Sequence, residues 1–239
     1  MRGAATLLAS WEQYARGSAG AALQRLDGVA AAVFPNDPER GVYNNALLDR
    51  DLGPAERVAA VDAMAAAYRA AGVDRYAAWV HESDHGMRAE LSGRGYTVEE
   101  STRAMGISLD AIAHGRPEVE LAPLGWPGYL EYLEAVGVPA GLLSGADASA
   151  FHTLVARRAG RSLATAIAFD HDGDCGIYNM STVEAARRRG LGTALTACHV
   201  HDAADRGCAT ASLQSTPMAE RVYAAVGFRD LGRFLEYML

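Results

Sequence analysis

Gly176-Ile177-Tyr178-Asn179-Met180-Ser181-Thr182-Val183-Glu184-Ala185-Ala186-Arg187-Arg188-Arg189-Gly190-Leu191-Gly192-Thr193-Ala194-Leu195 changes its period in mid-course, and that change decides the fold. Ile177, Tyr178, Thr182 and Val183 are strand formers. Leu191, Leu195 and Cys198 recur at helical spacing, and the alanines around them supply helix propensity. Between the two patterns lies a short basic loop with two glycines. A strand that feeds such a loop at a helix N-terminus is a general anion site, because the first N–H groups of the helix have no partner and its dipole favours negative charge. Gly190 and Gly192 allow close backbone approach, and Arg187, Arg188 and Arg189 add cationic donors. Taken alone, the loop reads equally well as a turn. It is neither of the commoner phosphate loops: no Gly-Lys-Ser/Thr is present, and no Gly-x-Gly-x-x-Gly followed by a ribose-reading acid.

Working outward, an Asp170-His171-Asp172-Gly173-Asp174 hairpin turn precedes the stretch, and the segment Arg161 to Phe169 before it reads as a strand. Residues 151–159 fit a strand or a helix. Pro127 to Val136 is a helix with Tyr129, Tyr132, Leu133 and Val136 on one face, and Glu118 to Leu121 begins a strand. After the helix of 191–206 come a strand at Cys208 to Gln214, a helix at Pro217 to Val226 stopped by Gly227, and a closing strand at Phe228 to Met238. In the first half, residues 5–27 read as a helix that Gly17 to Gly20 can interrupt. Val29 to Phe34 and Gly41 to Leu48 read as a hairpin around Pro35-Asn36-Asp37-Pro38. A helix at 54–72 has Pro54 at its start and Gly72 at its end. Arg75 to Glu82 is a strand, Met87 to Gly93 a helix and Tyr96 to Leu109 a strand.

The two halves echo each other. Gly41-Val42-Tyr43-Asn44 matches Gly176-Ile177-Tyr178-Asn179, and Gly95-Tyr96 sits where Gly227-Phe228 sits in the second copy. The first copy replaces the basic loop with Asp49-Arg50-Asp51-Leu52-Gly53-Pro54, a turn with two acids and a proline. Residues 112–117 read as a linker, which sets expected domains at 1–111 and 118–239.

Composition narrows the class. Half of the 239 residues are apolar, enough for a sizeable core, and the net charge of −7 argues against a general nucleic-acid binder. No basic region followed by a long apolar run opens the chain, so neither a signal peptide nor a membrane span is expected. All the cationic side chains are arginine and Ala and Gly are abundant, the composition of a GC-rich bacterial genome. Cys175, Cys198 and Cys208 form no Cys-x-x-Cys pair and read as reduced thiols in a cytoplasmic protein. His199 and His201 stand two apart on a helix and face different directions, so no metal site is expected. The acidic run at 170–174 is too short for a calcium loop and lacks its distal Glu.

The order Arg187-Arg188-Arg189-Gly190-Leu191-Gly192 after a strand, followed by Tyr223 four residues before Gly227-Phe228, resembles the GNAT superfamily of N-acetyltransferases over about 118–239. The first half resembles a degenerate GNAT unit. The resemblance implies a mixed α/β fold, a mostly antiparallel sheet flanked by helices in tandem GNAT-like halves. It also implies acetyl-CoA as cosubstrate, lying between a splayed strand pair. The pantetheine arm would pair with backbone groups of Met180, Ser181, Thr182 and Val183. The pyrophosphate would sit on the loop of Arg187, Arg188, Arg189, Gly190, Leu191, Gly192 and Thr193. Tyr223 matches the position that protonates the departing thiolate. Tyr178 and Asn179, on the strand lining the cleft, would touch the acceptor. Thr216 stands where many members carry Asn, with Ser215 beside it, and its hydroxyl can still bond the cofactor.

The implied reaction is direct attack of a primary amine of a small molecule or peptide on the thioester. The base is left open. Glu131, Glu134 and Asp147 lie on the acceptor side by the same resemblance, and each also reads as a surface carboxylate. Two alternatives remain: a non-catalytic acyl-CoA-binding sensor, and an acyltransferase with a different donor. Neither nucleic acid nor membrane is an expected partner, and a homodimer is left open.

Overall fold

Two glycine-bearing turns shape the start of the chain. The computed structural model describes residues 2–36, 43–110, 112–115, 121–138 and 140–239. Helix α1 (Arg2–Arg16) ends at the Gly17–Gly20 run, where Gly20 takes φ 76°. Residues 22–26, expected to continue a helix, instead form strand β1 (Ala22–Leu26). It pairs antiparallel with β2 (Val29–Val33) from Ala22↔Val33 to Leu26↔Val29. Asp27-Gly28 is the two-residue hairpin turn, with Gly28 at φ 77°. The Asp-Gly signal and the pairing of a neighbouring strand outweigh the helical spacing. Asp37 and Pro38 of the expected turn, Gly41 and Val42 of the repeat, residues 116–117 of the linker and residues 118–120 of the expected strand lie outside the described residues.

The other elements follow the sequence pattern: β3 (Asn45–Leu48), α2 (Pro54–Ala70), β4 (Ala77–His81), α3 (His85–Gly93), β5 (Thr97–Ser108), β6 (Leu121–Pro123) and α4 (Trp126–Ala135). Then come β7 (His152–Arg158), β8 (Arg161–His171), β9 (Asp174–Thr182), α5 (Leu191–Asp205), β10 (Thr210–Ser215), α6 (Glu220–Val226) and β11 (Arg229–Met238). The ambiguous 151–159 run is thus a strand. Asp172 at φ 46° and Gly173 at φ 75° turn β8 into β9.

These elements form two compact units, one of Met1–Ser10 with Ala104–Leu231, the other of Trp11–Arg103 with Gly232–Leu239. In the second of these, β1, β2 and β3 are antiparallel neighbours, β3 and β4 are parallel around α2, and the last residues of β11 pair antiparallel with β4 from Phe234↔His81 to Tyr237↔Ala78. Its core gathers Val61, Met64 and Tyr68 of α2 onto Val29, Ala31, Val33, Ala78 and Val80 of the sheet. In the first unit β6, β7, β8 and β9 are successive antiparallel neighbours, and β9 and β10 are parallel around α5. The face under α5 and α6 is apolar: Cys175, Ile177, Ala211 and Leu213 of the sheet meet Ala197, Val200, Tyr223 and Val226 of the helices. The architecture is mixed α/β with mostly antiparallel pairing and a strand–helix–strand parallel step in each unit.

Candidate functional site

The parallel step of the first unit opens as it proceeds. β9 and β10 pair at Asp174↔Thr210, Cys175↔Ala211 and Gly176↔Ser212. β9 continues to Thr182 and β10 to Ser215 without a further pair between them among the described residues. Along its other edge β9 stays paired with β8 as far as Ala164↔Thr182. The strands therefore part, and the β10-facing edge of residues 177–182 is left free to bond an extended ligand through its main chain.

A bulge sits on that edge. Between the pairs Thr165↔Ser181 and Ile167↔Tyr178, the single residue Ala166 faces both Asn179 and Met180, and Asn179 takes φ 49°. Two residues opposite one re-aim the side chains beyond them. Strict alternation from Ile177 would send Met180 to the far face; the bulge instead turns it toward α5 and α6, where it packs with the Ile177 and Tyr223 cluster. The Ala166 carbonyl accepts the Nε2–H of His199, a fully buried residue of α5, at 3.3 Å.

The basic loop follows. Arg188 takes φ 60° and Gly190 φ 76°, and α5 starts at Leu191. Arg187 N bonds Glu184 O at 3.1 Å, and the next closing bond is Ala194 N to Gly190 O at 2.9 Å. The N–H groups between them belong to the loop and the first turn of the helix, which leaves them for a ligand. Arg187, Arg188 and Arg189 are exposed, with Arg187 Nε donating to Thr182 O at 3.3 Å. A Cβ on Gly192 would stand 3.3 Å from Val222 Cγ1 and 3.4 Å from Met180 Sδ, so the helix start lies against both α6 and the bulge.

Tyr223 projects from α6, which Gly227 ends at φ 113°. Its hydroxyl donates to Met180 Sδ at 3.8 Å, and burial pushes its pKa up to about 12. It is thus a protonated donor across the working pH range. Thr196 Oγ1 also lies 3.8 Å from Met180 Sδ while donating to Gly192 O at 2.8 Å. Met180, Gly192 and Tyr223, distant in sequence, are brought to one point.

The remaining expected residues are placed differently. Tyr178 shares the face of Gly176 and folds back over it, so that any Cβ at 176 would collide with its hydroxyl. Burial raises its pKa far above that of a free phenol. Ser181 and Thr182 lie half-buried on the free edge, followed by Val183. Thr216 is exposed just past β10, and Ser215 Oγ donates to its carbonyl at 2.9 Å. Glu131 and Glu134 are exposed on α4. Asp147 caps the short 148–150 turn, accepting from Ser149 N at 3.0 Å and Oγ at 2.6 Å.

Sequence reasoning passed over Tyr132, whose hydroxyl lies 3.2 Å from Ser181 O and 3.3 Å from Leu163 O and so braces the end of the β8–β9 pair from α4. Its only signal was a helical apolar face. It also passed over Asp174, read as a turn residue. The Asp174 carboxylate is buried and accepts from Thr6 Oγ1 at 2.7 Å, Ser212 Oγ at 2.7 Å and Thr210 Oγ1 at 2.6 Å. Asp170, at the end of β8, takes Arg206 in a two-point grip, Nε at 2.6 Å and Nη2 at 2.9 Å. Burial alone would raise its carboxyl; Arg206 and His152 outweigh that and hold it well below the usual range. This anchors the C-terminal end of α5. Among the described residues no group of three or more His, Cys, Asp or Glu side chains is arranged to hold a metal, and no helix is long and apolar enough to cross a membrane.

Residues 149–230 match the family model described as Acetyltransferase (GNAT) domain. None of the curated proteins matches the chain. Among solved structures, a GCN5-related N-acetyltransferase from Kribbella flavida is similar with a TM-score of 0.76 at 19% identity, covering 99% of this chain and 94% of that one. A GCN5-related N-acetyltransferase from Sphaerobacter thermophilus gives a TM-score of 0.58 at 15% identity, over 99% of this chain and 91% of that one. A tandem GNAT protein from the clavulanic acid biosynthesis pathway gives 0.60 at 13% identity, over 88% of this chain and 78% of that one. At these identities the likeness is one of fold.

Proposed function

We propose, from the match of residues 149–230 to the family model described as Acetyltransferase (GNAT) domain, that the chain moves an acetyl group from acetyl-CoA to a primary amine of a small molecule or peptide by direct transfer. The observation that carries the reading is the parted β9–β10 pair, with a basic glycine loop at one end and a buried, protonated Tyr223 at its side. The free edge of Met180, Ser181, Thr182 and Val183 suits an extended arm that offers amide groups. The N–H groups of residues 188–193, with the guanidinium groups of Arg187, Arg188 and Arg189, suit a pyrophosphate. Thr216, exposed just past the end of β10, offers a hydroxyl that suits the same ligand. The three free cysteines fit a reducing cytoplasm.

When bound, the thioester supplies an acyl carbon for attack: the amine nitrogen forms the new C–N bond, the C–S bond breaks, and the thiolate takes up a proton. The chain's part is to orient and to move protons. Holding both reactants in one cleft contributes to the rate through proximity and orientation. The Tyr223 hydroxyl donates toward the sulfur as charge grows there, and the proton released by the amine replaces the one given up. The acceptor approaches near the bulged Asn179 of β9, while the Tyr178 hydroxyl is turned back over Gly176 and away from it.

Release of free CoA thiol from acetyl-CoA with a panel of amines tests the reading. Tyr223→Phe is expected to lower kcat by about 10²-fold while the acetyl-CoA Kd from titration calorimetry changes little. A wild-type rate in that variant would remove Tyr223 from the mechanism. Binding of acetyl-CoA without turnover on any amine would favour a sensor, and no binding of any acyl-CoA would overturn the reading.

A further inference from the structure

The sulfur of Met180 occupies the point toward which the site converges. Tyr223 Oη and Thr196 Oγ1 each stand 3.8 Å from it, and the Cβ direction of Gly192 ends 3.4 Å from it. The Thr196 proton is engaged by the Gly192 carbonyl at 2.8 Å, which leaves the Tyr223 proton as the one aimed at the Met180 thioether. A thioether is a weak acceptor, so this contact yields readily to a better one. Met180 reaches the position because the bulge at Asn179, φ 49°, turns it onto the α5 and α6 face. It is only half-buried, and it packs at the junction of two apolar clusters, one under α6 with Tyr223 and one under α5 with Leu195.

We infer that the Met180 side chain is the wall that limits acyl length in this site, admitting a two-carbon group and excluding longer ones. The inference rests on the proposed role of Tyr223. The Tyr223 hydroxyl stands 3.8 Å from the Met180 sulfur, so a thioester held at that hydroxyl places its acyl group beside the Met180 side chain. Gly192 and Thr196 of α5 stand against the Met180 sulfur, which limits how far it can retreat toward that helix. An unbranched thioether without polar demands fills such a gap well. Its truncation would leave an apolar recess that matches a longer alkyl chain.

Titration calorimetry of acetyl-CoA and butyryl-CoA, without amine so that no turnover occurs, tests the inference. The readout is the ratio of the two Kd values. In the wild type acetyl-CoA is expected to bind more tightly. Met180→Ala is expected to shift the ratio toward butyryl-CoA by about 10-fold, the gain that burial of two further methylenes brings. Met180→Val, which keeps a strand former at the position, should shift it part of the way. Met180→Leu, of similar volume, should leave it within about 2-fold. Circular dichroism melting shows which variants fold, and Met180→Val carries the test if the alanine variant does not. An unchanged ratio in the folded Ala or Val protein overturns the inference, as does a Leu variant that shifts as far as Ala. Failure of the wild type to bind either acyl-CoA would instead overturn the proposed function.

Discussion

His199 lies wholly inside the first unit, with Nε2–H bonded to Ala166 O and Nδ1 without a partner among the described residues. Burial lowers its pKa to about 4, against a small opposing effect of the Ala166 carbonyl. The folded protein thus resists a proton that the unfolded chain accepts at about pH 6.5. Between those values the unfolded state binds more protons, so stability rises with pH. The neutral ring's stabilisation is complete above about pH 6.5 and is lost as pH falls toward 4. Its full size is on the order of 3 kcal/mol. Denaturant titrations at pH 7 and pH 4.5 should show this loss in the wild type and a smaller one in His199→Gln; equal losses would place the pH sensitivity elsewhere. Asp174 makes a second prediction at this scale. Asp174→Ala strands three hydroxyls that now share one buried carboxylate. Calorimetric melting should report a loss of about 3 kcal/mol. Neither side chain declares itself in the sequence. His199 reads as one of a histidine pair and Asp174 as the end of an acidic turn, because the partners that define them, Ala166, Thr6 and Ser212, come from other elements.

At the scale of elements, the two parallel steps share a plan and differ at the helix start. α5 opens on Gly190, φ 76°, after a left-handed Arg188, with three exposed arginines nearby. α2 opens on Gly53-Pro54, where Glu56 Oε2 accepts the Gly53 N–H at 2.6 Å and Arg57 Nη1 donates to Leu52 O at 2.6 Å. Pro54 has no N–H to offer. One helix start is therefore prepared for an anion and the other is closed by its own side chains. The Gly190 site needs its backbone angle and no special room, since nothing lies within 4 Å of an added Cβ. Gly190→Ala should cost roughly 1 kcal/mol of stability and weaken acetyl-CoA binding several-fold as the loop relaxes. Melting and calorimetry read the two effects separately; unchanged affinity would detach the loop from the cofactor. These local devices were legible in advance. Glycine, proline and charge at a helix start act within a few residues. The β1 strand and the Asn179 bulge were not, since each depends on what a neighbouring strand pairs with.

At the scale of the whole molecule, the contrast between the two helix starts predicts a stoichiometry. One acetyl-CoA should bind per chain, and a calorimetric value near two would show that the α2 step retains a site. The path of the chain also matters. α1, β5 and β11 each contribute residues to both units. The last residues of β11 pair with β4, Leu109 N of the β5 end bonds Ala209 O at 2.9 Å beside β10, and Thr6 of α1 bonds Asp174. A fragment of residues 118–239 would lack Thr6, Met105 and Leu109 from the first unit and the β4 partner of its own last strand. It should show no cooperative melt, whereas the full chain should.

By itself the sequence determined the alternation of strands and helices over most of the chain, the basic loop at the start of α5, and the succession of Arg187, Gly190, Gly192, Tyr223 and Gly227 that points to acyl transfer. Those are matters of local propensity and of order along one chain. Only the tertiary structure decided where β9 leaves β10, that a bulge opposite Ala166 turns Met180 under Tyr223, that Tyr178 folds over Gly176, and how β5 and β11 are allotted. Each depends on register between segments far apart in sequence, and a one-residue change of register reverses the face on which a side chain appears.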